Sequence, residues 1–201
     1  MHLLRRDGYR RMPWRNGQGL TEEILALPEA AGIDSFDWRL SIAHVGADGP
    51  FSLFPGIDRT IALLDGAGLA LDLPEGQNVR LEAGGDPFTF PGEWAISGRN
   101  AAGPTIDLNI MTRRGRCRHA MRRLQLKKDT AFEVPARGVA VFNGSTSIAT
   151  DGGNVEIGRF DALMLDGTER FQAGRPVEIL WTTITRESVA WRQQKAVPRP
   201  L

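Results

Sequence analysis

The chain has 201 residues and 41% of them are hydrophobic, which is enough to bury the core of one β domain or two small fused ones. Its 25 Lys and Arg residues nearly balance 24 Asp and Glu residues, so the net charge of +1 gives no field that would attract nucleic acid. The single cysteine, Cys117, excludes an internal disulfide; with no signal sequence and no apolar run of membrane length, the chain is expected in the cytoplasm and off the membrane.

Short apolar runs between turn signals predict strands along most of the chain. The turn signals are Asn-Gly or Asp-Gly pairs at 16–17, 48–49, 65–66, 143–144 and 166–167. The predicted strands cover residues 38–45, 60–64, 69–73, 88–90, 105–111, 138–142, 154–157, 162–165 and 177–184. Short strands at such regular spacing are typical of a β-sandwich or β-barrel, and helical periodicity is poor.

An internal repeat relates the stretch from residue 63 to the stretch from residue 141. Glycines and an Asn-Val pair recur in the two stretches at offsets of 75 to 78 residues. A repeat of this kind fits two stacked β units. The first copy holds nearly all the unusual polar residues, so we expect function in the first half and scaffolding in the second.

The segment DWRLSIAHV at 37–45 places two polar side chains together on one face of a predicted strand. Because strand side chains alternate, Arg39 and Ser41 face one way, while Trp38 and Leu40 face the other. A guanidinium beside a hydroxyl is suited to a carboxylate if this face lines a barrel. The alternative is a solvent-exposed face on which Arg39 pairs with an acidic residue.

Arg59 lies at the start of the apolar strand predicted over 60–64, after a Pro-Gly turn. A buried guanidinium at this position would present a fixed fork of donors to an anion. The alternative is an ion pair with Asp58 or Asp107 that holds a loop.

The segment TIDLNIM at 105–111 has one apolar face, and Asp107, Asn109 and Met111 share the other face. Asp and Asn are unfavourable in strands, so two in alternation indicate a polar cavity wall or an exposed face. Asn109 could bind an amide or formyl group. Asp107 could orient Arg59 or bind an ammonium group.

The chain is similar to the HutD/Ves family in three stretches: MPWRNGQGLTEEI at 12–24, DWRLSIAHVGADGPFSLFPGIDRTIALLDGAGLAL at 37–71, and FPGEWAISGRNAAGPTIDLNIMTRR at 90–114. The resemblance implies an all-β fold of cupin type, an RmlC-like jelly-roll β-barrel with two stacked cupin units (a bicupin). Residues 1–115 would form the first unit, with the ligand pocket, and residues 116–201 a degenerate second unit that is mainly scaffold.

The resemblance also implies a function. Some members of the family occur with histidine-utilisation genes and are thought to regulate or bind a pathway intermediate such as formylglutamate or formiminoglutamate. This favours the pocket interpretation of Arg39 and Ser41, and it adds Trp14 and Asn16 to the candidate ligand-binding residues. On the residues alone, Trp14 could equally be packing, and Asn16 belongs to a strong hairpin-turn signal.

No metal or other cofactor is expected. A cupin metal site needs two histidines one residue apart, a nearby glutamate and a distant third histidine. This chain has only His2, His44 and His119, and no His-x-His. Nucleophilic catalysis finds little support, because Cys117 has no accompanying His and acid pattern and no serine lies in a nucleophile elbow.

The basic run RRGRCRHAMRRLQLKK at 113–128 could contact nucleic acid, but it contains no interleaved aromatic residues. The preferred interpretation is a solvated linker between the two halves.

Together with the resemblance, the sequence therefore predicts a metal-free binding protein for a small carboxylate metabolite of the formylglutamate or formiminoglutamate type, which regulates histidine or amino-acid catabolism. Binding is favoured over catalysis. One alternative is a hydrolase or isomerase with Asp107 or His44 as base. Another is a ligand-controlled regulator whose basic run or C-terminal tail, residues 191–201, contacts a partner protein. Sheet edges could also pair two chains into a homodimer. The predicted ligand-binding residues are Arg59, Ser41, Asn109, Arg39, Asp107, Trp14 and Asn16.

Overall fold

The computed structural model describes residues 1–29, 31–32, 35–150 and 152–187, and these residues form an all-β structure. Their helical segments are two single-turn 3-10 helices, Arg6–Gly8 and Pro74–Gly76. In this described part, no helix has the length and apolar character needed to cross a membrane. The C-terminal tail at 191–201, predicted as a partner contact, lies outside the described residues.

All nine predicted strands are present, and the three predicted at 38–45, 138–142 and 162–165 have the predicted bounds. The strands of the described residues are β1 (His2–Leu4), β2 (Arg10–Pro13), β3 (Gly19–Leu27), β4 (Trp38–Val45), β5 (Gly49–Pro50), β6 (Ile57–Asp65), β7 (Leu69–Asp72), β8 (Asn78–Leu81), β9 (Phe88–Pro91), β10 (Ser97–Asn100), β11 (Thr105–Arg113), β12 (Cys117–Leu126), β13 (Ala131–Glu133), β14 (Gly138–Phe142), β15 (Thr146–Thr150), β16 (Gly153–Ile157), β17 (Ala162–Leu165), β18 (Arg170–Ala173) and β19 (Val177–Arg186).

The strands form two pairs of antiparallel sheets. The first pair is a six-stranded sheet, β2-β3-β4-β11-β6-β9, with a four-stranded sheet, β5-β10-β7-β8. The second pair is a five-stranded sheet, β1-β17-β14-β19-β12, with a four-stranded sheet, β13-β18-β15-β16. From β4 onwards the two pairs have the same strand order when the labels are shifted by eight. The division into two units stays a prediction, which this repeated order supports.

Two hydrophobic cores lie on opposite faces of the six-stranded sheet. Ala62 and Leu64 of β6 face a core shared with the five-stranded sheet, whereas Ile61 and Leu63 face a core shared with the four-stranded sheet β5-β10-β7-β8. The first core joins the two sheet pairs. The second core fills one part of the space inside the first pair, and the rest of that inner face holds polar residues.

The basic run at 113–128 is not a solvated linker, and that prediction is wrong. Most of the run forms β12, which pairs along its whole length with β19. Met121 and Leu126 are buried, and of the two arginines between them Arg122 is exposed, whereas the side chain of Arg123 is only 6% exposed. Arg123 Nη2 donates a hydrogen bond to the carbonyl of Leu63 at 2.7 Å, so β12 is fastened to the first sheet pair.

His119 on β12 should make the stability of the fold depend on pH. Its Nε2 lies 2.7 Å from Thr60 Oγ1 and its Nδ1 lies 2.7 Å from Thr112 Oγ1. Burial lowers the pKa of His119 from an ordinary 6.5 to about 4, although Asp58 partly opposes this. Between these two pH values the unfolded chain binds a proton that the folded chain does not. The contribution of His119 to the free energy of unfolding should therefore fall by up to ~3 kcal/mol as the pH is lowered through this window.

Urea denaturation of wild type and His119→Gln across this pH window measures the effect. Glutamine keeps a donor and an acceptor but does not titrate, so the variant should lose about 2–3 kcal/mol less than wild type on acidification. The comparison separates His119 from carboxylates that titrate in the same range. His2→Gln, at an exposed histidine, is the matched control. Parallel pH profiles for wild type and His119→Gln would contradict the prediction.

Candidate functional site

The inner face of the six-stranded sheet carries a buried group of polar side chains from three adjacent strands. Arg39 and Ser41 come from β4, Asp107 and Asn109 from β11, and Arg59 from β6, and none is more than 8% exposed. Asn109 lies directly opposite Ser41 in the β4–β11 register. We call these five residues the polar cluster. The face that they share is buried inside the first sheet pair rather than open to solvent.

Arg59 is a buried cation with an unsatisfied donor. Its Nη1 donates to the carbonyl of Ser52 at 3.3 Å, and its guanidinium lies over the rings of Phe51, Phe54 and Phe90 at 5.1 to 5.4 Å. Its buried Nε has no hydrogen-bond partner among the described residues. Burial lowers the pKa of Arg59 to about 10, so the group still carries its charge at neutral pH. A buried positive charge with a free donor can bind an anion.

Asp107 lies beside a β-bulge, because the pairing of β11 with β6 shifts between Ile106 and Asp107. Bulges of this kind re-aim side chains and are common next to functional sites. Burial raises the pKa of Asp107 to about 7, and the charge of Arg59 partly opposes the rise. In the described part of the chain the two groups form no direct ion pair, so Asp107 acts on Arg59 through their charges alone.

Glu23 on β3 contacts the polar cluster through Arg39, and this contact was not predicted from the sequence. Arg39 Nε donates to Glu23 Oε2 at 2.5 Å, and Arg10 Nη2 lies 2.8 Å from Glu23 Oε1. Glu23 is opposite Ser41, and a second bulge follows it before Leu25. The pair Glu22-Glu23 could have indicated this contact, because neighbouring residues of a strand face opposite sides of the sheet and one of the two must then face inwards. However, β3 itself was not among the predicted strands.

The other glutamate, Glu22, faces the opposite side of the sheet together with His44. Arg6 donates to Glu22 from Nε at 2.9 Å and from Nη2 at 3.2 Å, and His44 Nε2 lies 3.4 Å from Glu22 Oε2. Burial alone would raise the pKa of Glu22, but these partners hold it below its ordinary value. His44 is therefore separated from the polar cluster by the sheet.

Asn109 and Ser41 supply the neutral polar groups of the cluster. Asn109 Oδ1 is buried and has no partner among the described residues. A buried acceptor without a donor is costly, so its presence points to a donor supplied from outside the chain. Together with the free Nε of Arg59, the cluster can bind a molecule that has both a carboxylate and an N–H or O–H group.

The other two predicted residues lie at the β2–β3 hairpin. Trp14 is half-buried, and its Nε1 donates to Thr21 Oγ1 at 2.9 Å. Thr21 is two residues before Glu23 and thus on the same face of β3, so Trp14 borders the inner face. Asn16 is exposed, and its Oδ1 accepts a hydrogen bond from the backbone N–H of Gln18 at 3.1 Å. The structure thus places Asn16 in the turn and does not bring it to the cluster.

Two surface clefts of 750 Å³ and 420 Å³ lie elsewhere on the molecule. The larger includes His44 in its lining and the smaller includes His119, and no member of the polar cluster lines either one. Nowhere in the described ranges do three or more His, Cys, Asp or Glu side chains form a group that could hold a metal ion.

Comparisons with known proteins agree on one family. The HutD family model matches residues 6–181. The chain is 37% identical over 173 residues to an uncharacterised 21.2 kDa protein in the hutC 3′ region of Pseudomonas putida, covering 84% of this chain and 88% of that protein. It is 44% identical over 137 residues to Protein Ves of Citrobacter koseri, covering 66% of this chain and 69% of that one.

Solved structures give the same result for the fold. A conserved protein of unknown function, PA5104 from Pseudomonas aeruginosa PAO1, superposes with a TM-score of 0.80 at 29% identity, covering 91% of this chain and 97% of that chain. HutD from Pseudomonas fluorescens SBW25, in a formate condition, gives a TM-score of 0.73 at 30% identity, covering 93% and 99%. A cupin 2 conserved barrel domain protein from Leptotrichia buccalis, at 10% identity, shares the fold with a TM-score of 0.57, covering 88% and 96%. The protein therefore has a cupin-type β fold and belongs to the HutD family.

Proposed function

We propose that the protein binds a small carboxylate metabolite in the polar cluster, without a metal, and thereby regulates histidine or related amino-acid catabolism. Ligands of the formylglutamate or formiminoglutamate type are the preferred candidates. The observation that carries the proposal is the buried, charged guanidinium of Arg59 with its Nε unpartnered in the described residues, on the same sheet face as the unpartnered Asn109 Oδ1.

A buried cation without a counter-charge and a buried acceptor without a donor destabilise the protein, and such groups are concentrated at binding sites. One of the two carboxylates of formylglutamate or formiminoglutamate would neutralise Arg59 and accept a hydrogen bond from its free Nε. The N–H of a formyl amide or formimino group would donate to Asn109 Oδ1. One small molecule would thus satisfy both groups at once.

In this proposal Arg59 binds the carboxylate, Asn109 and Ser41 contact the formyl or formimino end, Arg39 and Asp107 support them, and Trp14 covers the mouth. The metabolic context comes from the relatives. The Pseudomonas putida protein is named for the hutC 3′ region, and the Pseudomonas fluorescens relative is named HutD. The formate condition of the latter structure makes formate, the smallest carboxylate, a useful probe.

A ligand can reach the cluster only if part of the structure opens, because its members are almost fully buried. The segment at 51–54 is the candidate for this movement. It belongs to no strand, its residue Leu53 is 57% exposed, and its Ser52 carbonyl occupies one donor of Arg59. A ligand carboxylate would replace that carbonyl.

Catalysis is the second candidate function, and the raised pKa of Asp107 favours it. A carboxyl group with a pKa of about 7 can both donate and accept a proton at neutral pH, as a general acid–base catalyst must. Turnover of formylglutamate or formiminoglutamate without added metal would assign the protein as a hydrolase or isomerase.

The test is isothermal calorimetry and thermal unfolding of the wild type, with and without EDTA. The panel is formylglutamate, formiminoglutamate, glutamate, formate, urocanate and histidine. We expect one acid to bind saturably and to stabilise the fold by roughly 2.7 kcal/mol at a hundredfold excess over Kd. EDTA should have no effect on this binding. No binding of any acid would refute the proposal and shift the assignment to a protein partner.

A further inference from the structure

The polar cluster holds two buried guanidinium groups, but only one of them lacks an anionic partner within the described residues. The ion pair of Arg39 with Glu23 has side-chain exposures of 7% and 12%. Arg59 instead contacts a backbone carbonyl and aromatic rings. The cluster therefore offers an incoming anion a single free cation.

Building on the proposed function, we propose that Glu23 is a specificity-determining residue that limits the polar cluster to one ionised carboxylate of the ligand. Glu23 occupies Arg39, so the second carboxylate of a dicarboxylate such as formylglutamate or formiminoglutamate finds no free cation and stays outside the cluster. A ligand that combines one carboxylate with a neutral or cationic polar group is favoured over one that brings two carboxylates inside.

The reason is the cost of burying charge. An ionised carboxylate without a counter-charge is among the most expensive groups to remove from water. A second ligand carboxylate could bind Arg39 only by displacing Glu23. The displaced Glu23 would then be left with the exposed Arg10 as its partner. Repulsion from Glu23, and from Asp107 when it is ionised, would further weaken binding of the second carboxylate.

The fold holds Glu23 in this position. The bulge after Glu23 turns the consecutive residues Ile24 and Leu25 towards the core between the two sheet pairs, and Glu23 stays on the inner face opposite Ser41. Moving the backbone at Glu23 would require repacking of that core. Discrimination at this point therefore acts through charge, and a nearly isosteric neutral residue should relax it.

The experiment compares succinamate with succinate, two probes of equal length that differ by an amide against a carboxylate. Calorimetry measures Kd for both on wild type, Glu23→Gln and Glu82→Gln, the last a control at an exposed glutamate paired with Arg80. Wild type should bind succinamate at least about tenfold more tightly than succinate. Glu23→Gln frees Arg39 and should bring the two Kd values within about threefold or reverse their order, whereas Glu82→Gln should behave as wild type.

The Arg39→Gln substitution completes the test. Added to Glu23→Gln, it should remove the gain in succinate binding. Alone, it leaves Glu23 undercompensated and should weaken succinamate binding by about tenfold, which keeps the proposal testable if Glu23→Gln does not fold. An unchanged succinate-to-succinamate ratio in folded Glu23→Gln would overturn the role of Glu23 and leave the proposed function intact. No binding of either probe or of the metabolite panel to wild type would overturn both.

Discussion

Replacing Arg59 by methionine is expected to weaken binding of formylglutamate and formate by roughly 30- to 5000-fold. This range corresponds to the roughly 2–5 kcal/mol that a buried, hydrogen-bonded charge partner contributes to binding. Methionine has a similar length and can keep the contacts with the surrounding rings of Phe51, Phe54 and Phe90, so the loss should come from the charge and its hydrogen bonds. Calorimetry at neutral pH measures the change.

The fold should survive this substitution. Arg59 has no ion-pair partner in the described residues, and its removal takes a costly buried cation out of the structure. Asp107 would then become protonated, because Arg59 is the charge that lowers its pKa. Arg59→Lys should retain part of the binding, since it keeps the charge but loses the planar fork. Arg80→Met, at an exposed arginine, is the control. Wild-type affinity in Arg59→Met would refute the role of Arg59 in binding the ligand carboxylate.

Strand alternation was sufficient to predict most of the polar cluster. In β4 and β11, large apolar residues on one face make the other face unambiguous, so Arg39, Ser41, Asp107 and Asn109 could be grouped before their contacts were known. The alternation of residues along a strand does not show which of its two faces is covered by another sheet. That depends on the four-stranded sheet β5-β10-β7-β8, which is far away in sequence and covers the face with its leucines.

The residues that could not be predicted depend on local irregularity or on distant packing. Glu23 is placed by a bulge, which breaks the period of two on which sequence reasoning relies. The three rings around Arg59 come from β9 and from the loop before β6, and no short-range pattern joins them. The sequence predicts a linker at β12 because arginines are ordinarily exposed charges. Arg123 is instead buried, and its hydrogen bonds to the carbonyls of Gly85 and Leu63 bridge the two sheet pairs.

Replacing Asp107 by asparagine is expected to abolish a pH dependence that ligand binding shows in the wild type. The pKa of Asp107 is raised to about 7 by burial, and Arg59 limits the rise. A ligand carboxylate bound to Arg59 offsets part of the positive charge that lowers the pKa of Asp107. The pKa of Asp107 is therefore higher in the complex, and binding takes up a proton. Wild-type affinity should be constant below pH 7 while the ligand stays ionised, and it should fall by up to about tenfold per pH unit above it.

The charged groups on the same face as Asp107 are Arg59 on β6, Arg39 on β4 and Glu23 on β3. Because the charges of Arg39 and Glu23 compensate each other, Arg59 has the largest effect of the three on the pKa of Asp107. This defines the sign of the expected pH dependence of binding. Calorimetry in buffers of different ionisation enthalpy counts the proton directly. Asp107→Asn resembles the protonated form and should keep the low-pH affinity throughout, while Asp72→Asn, at an exposed aspartate, should follow wild type.

The opposite slope would be equally informative about the ligand. If wild-type binding tightened as the pH rose through the pKa of Asp107, proton uptake would be ruled out and the ligand would have to present a cation to the ionised carboxylate. A formyl amide is neutral, whereas a formimino group is a cationic amidine near neutral pH. The sign of the pH dependence of binding therefore distinguishes a formyl ligand from a formimino ligand. In Asp107→Asn, which lacks the titrating carboxyl group, neither pH dependence should appear.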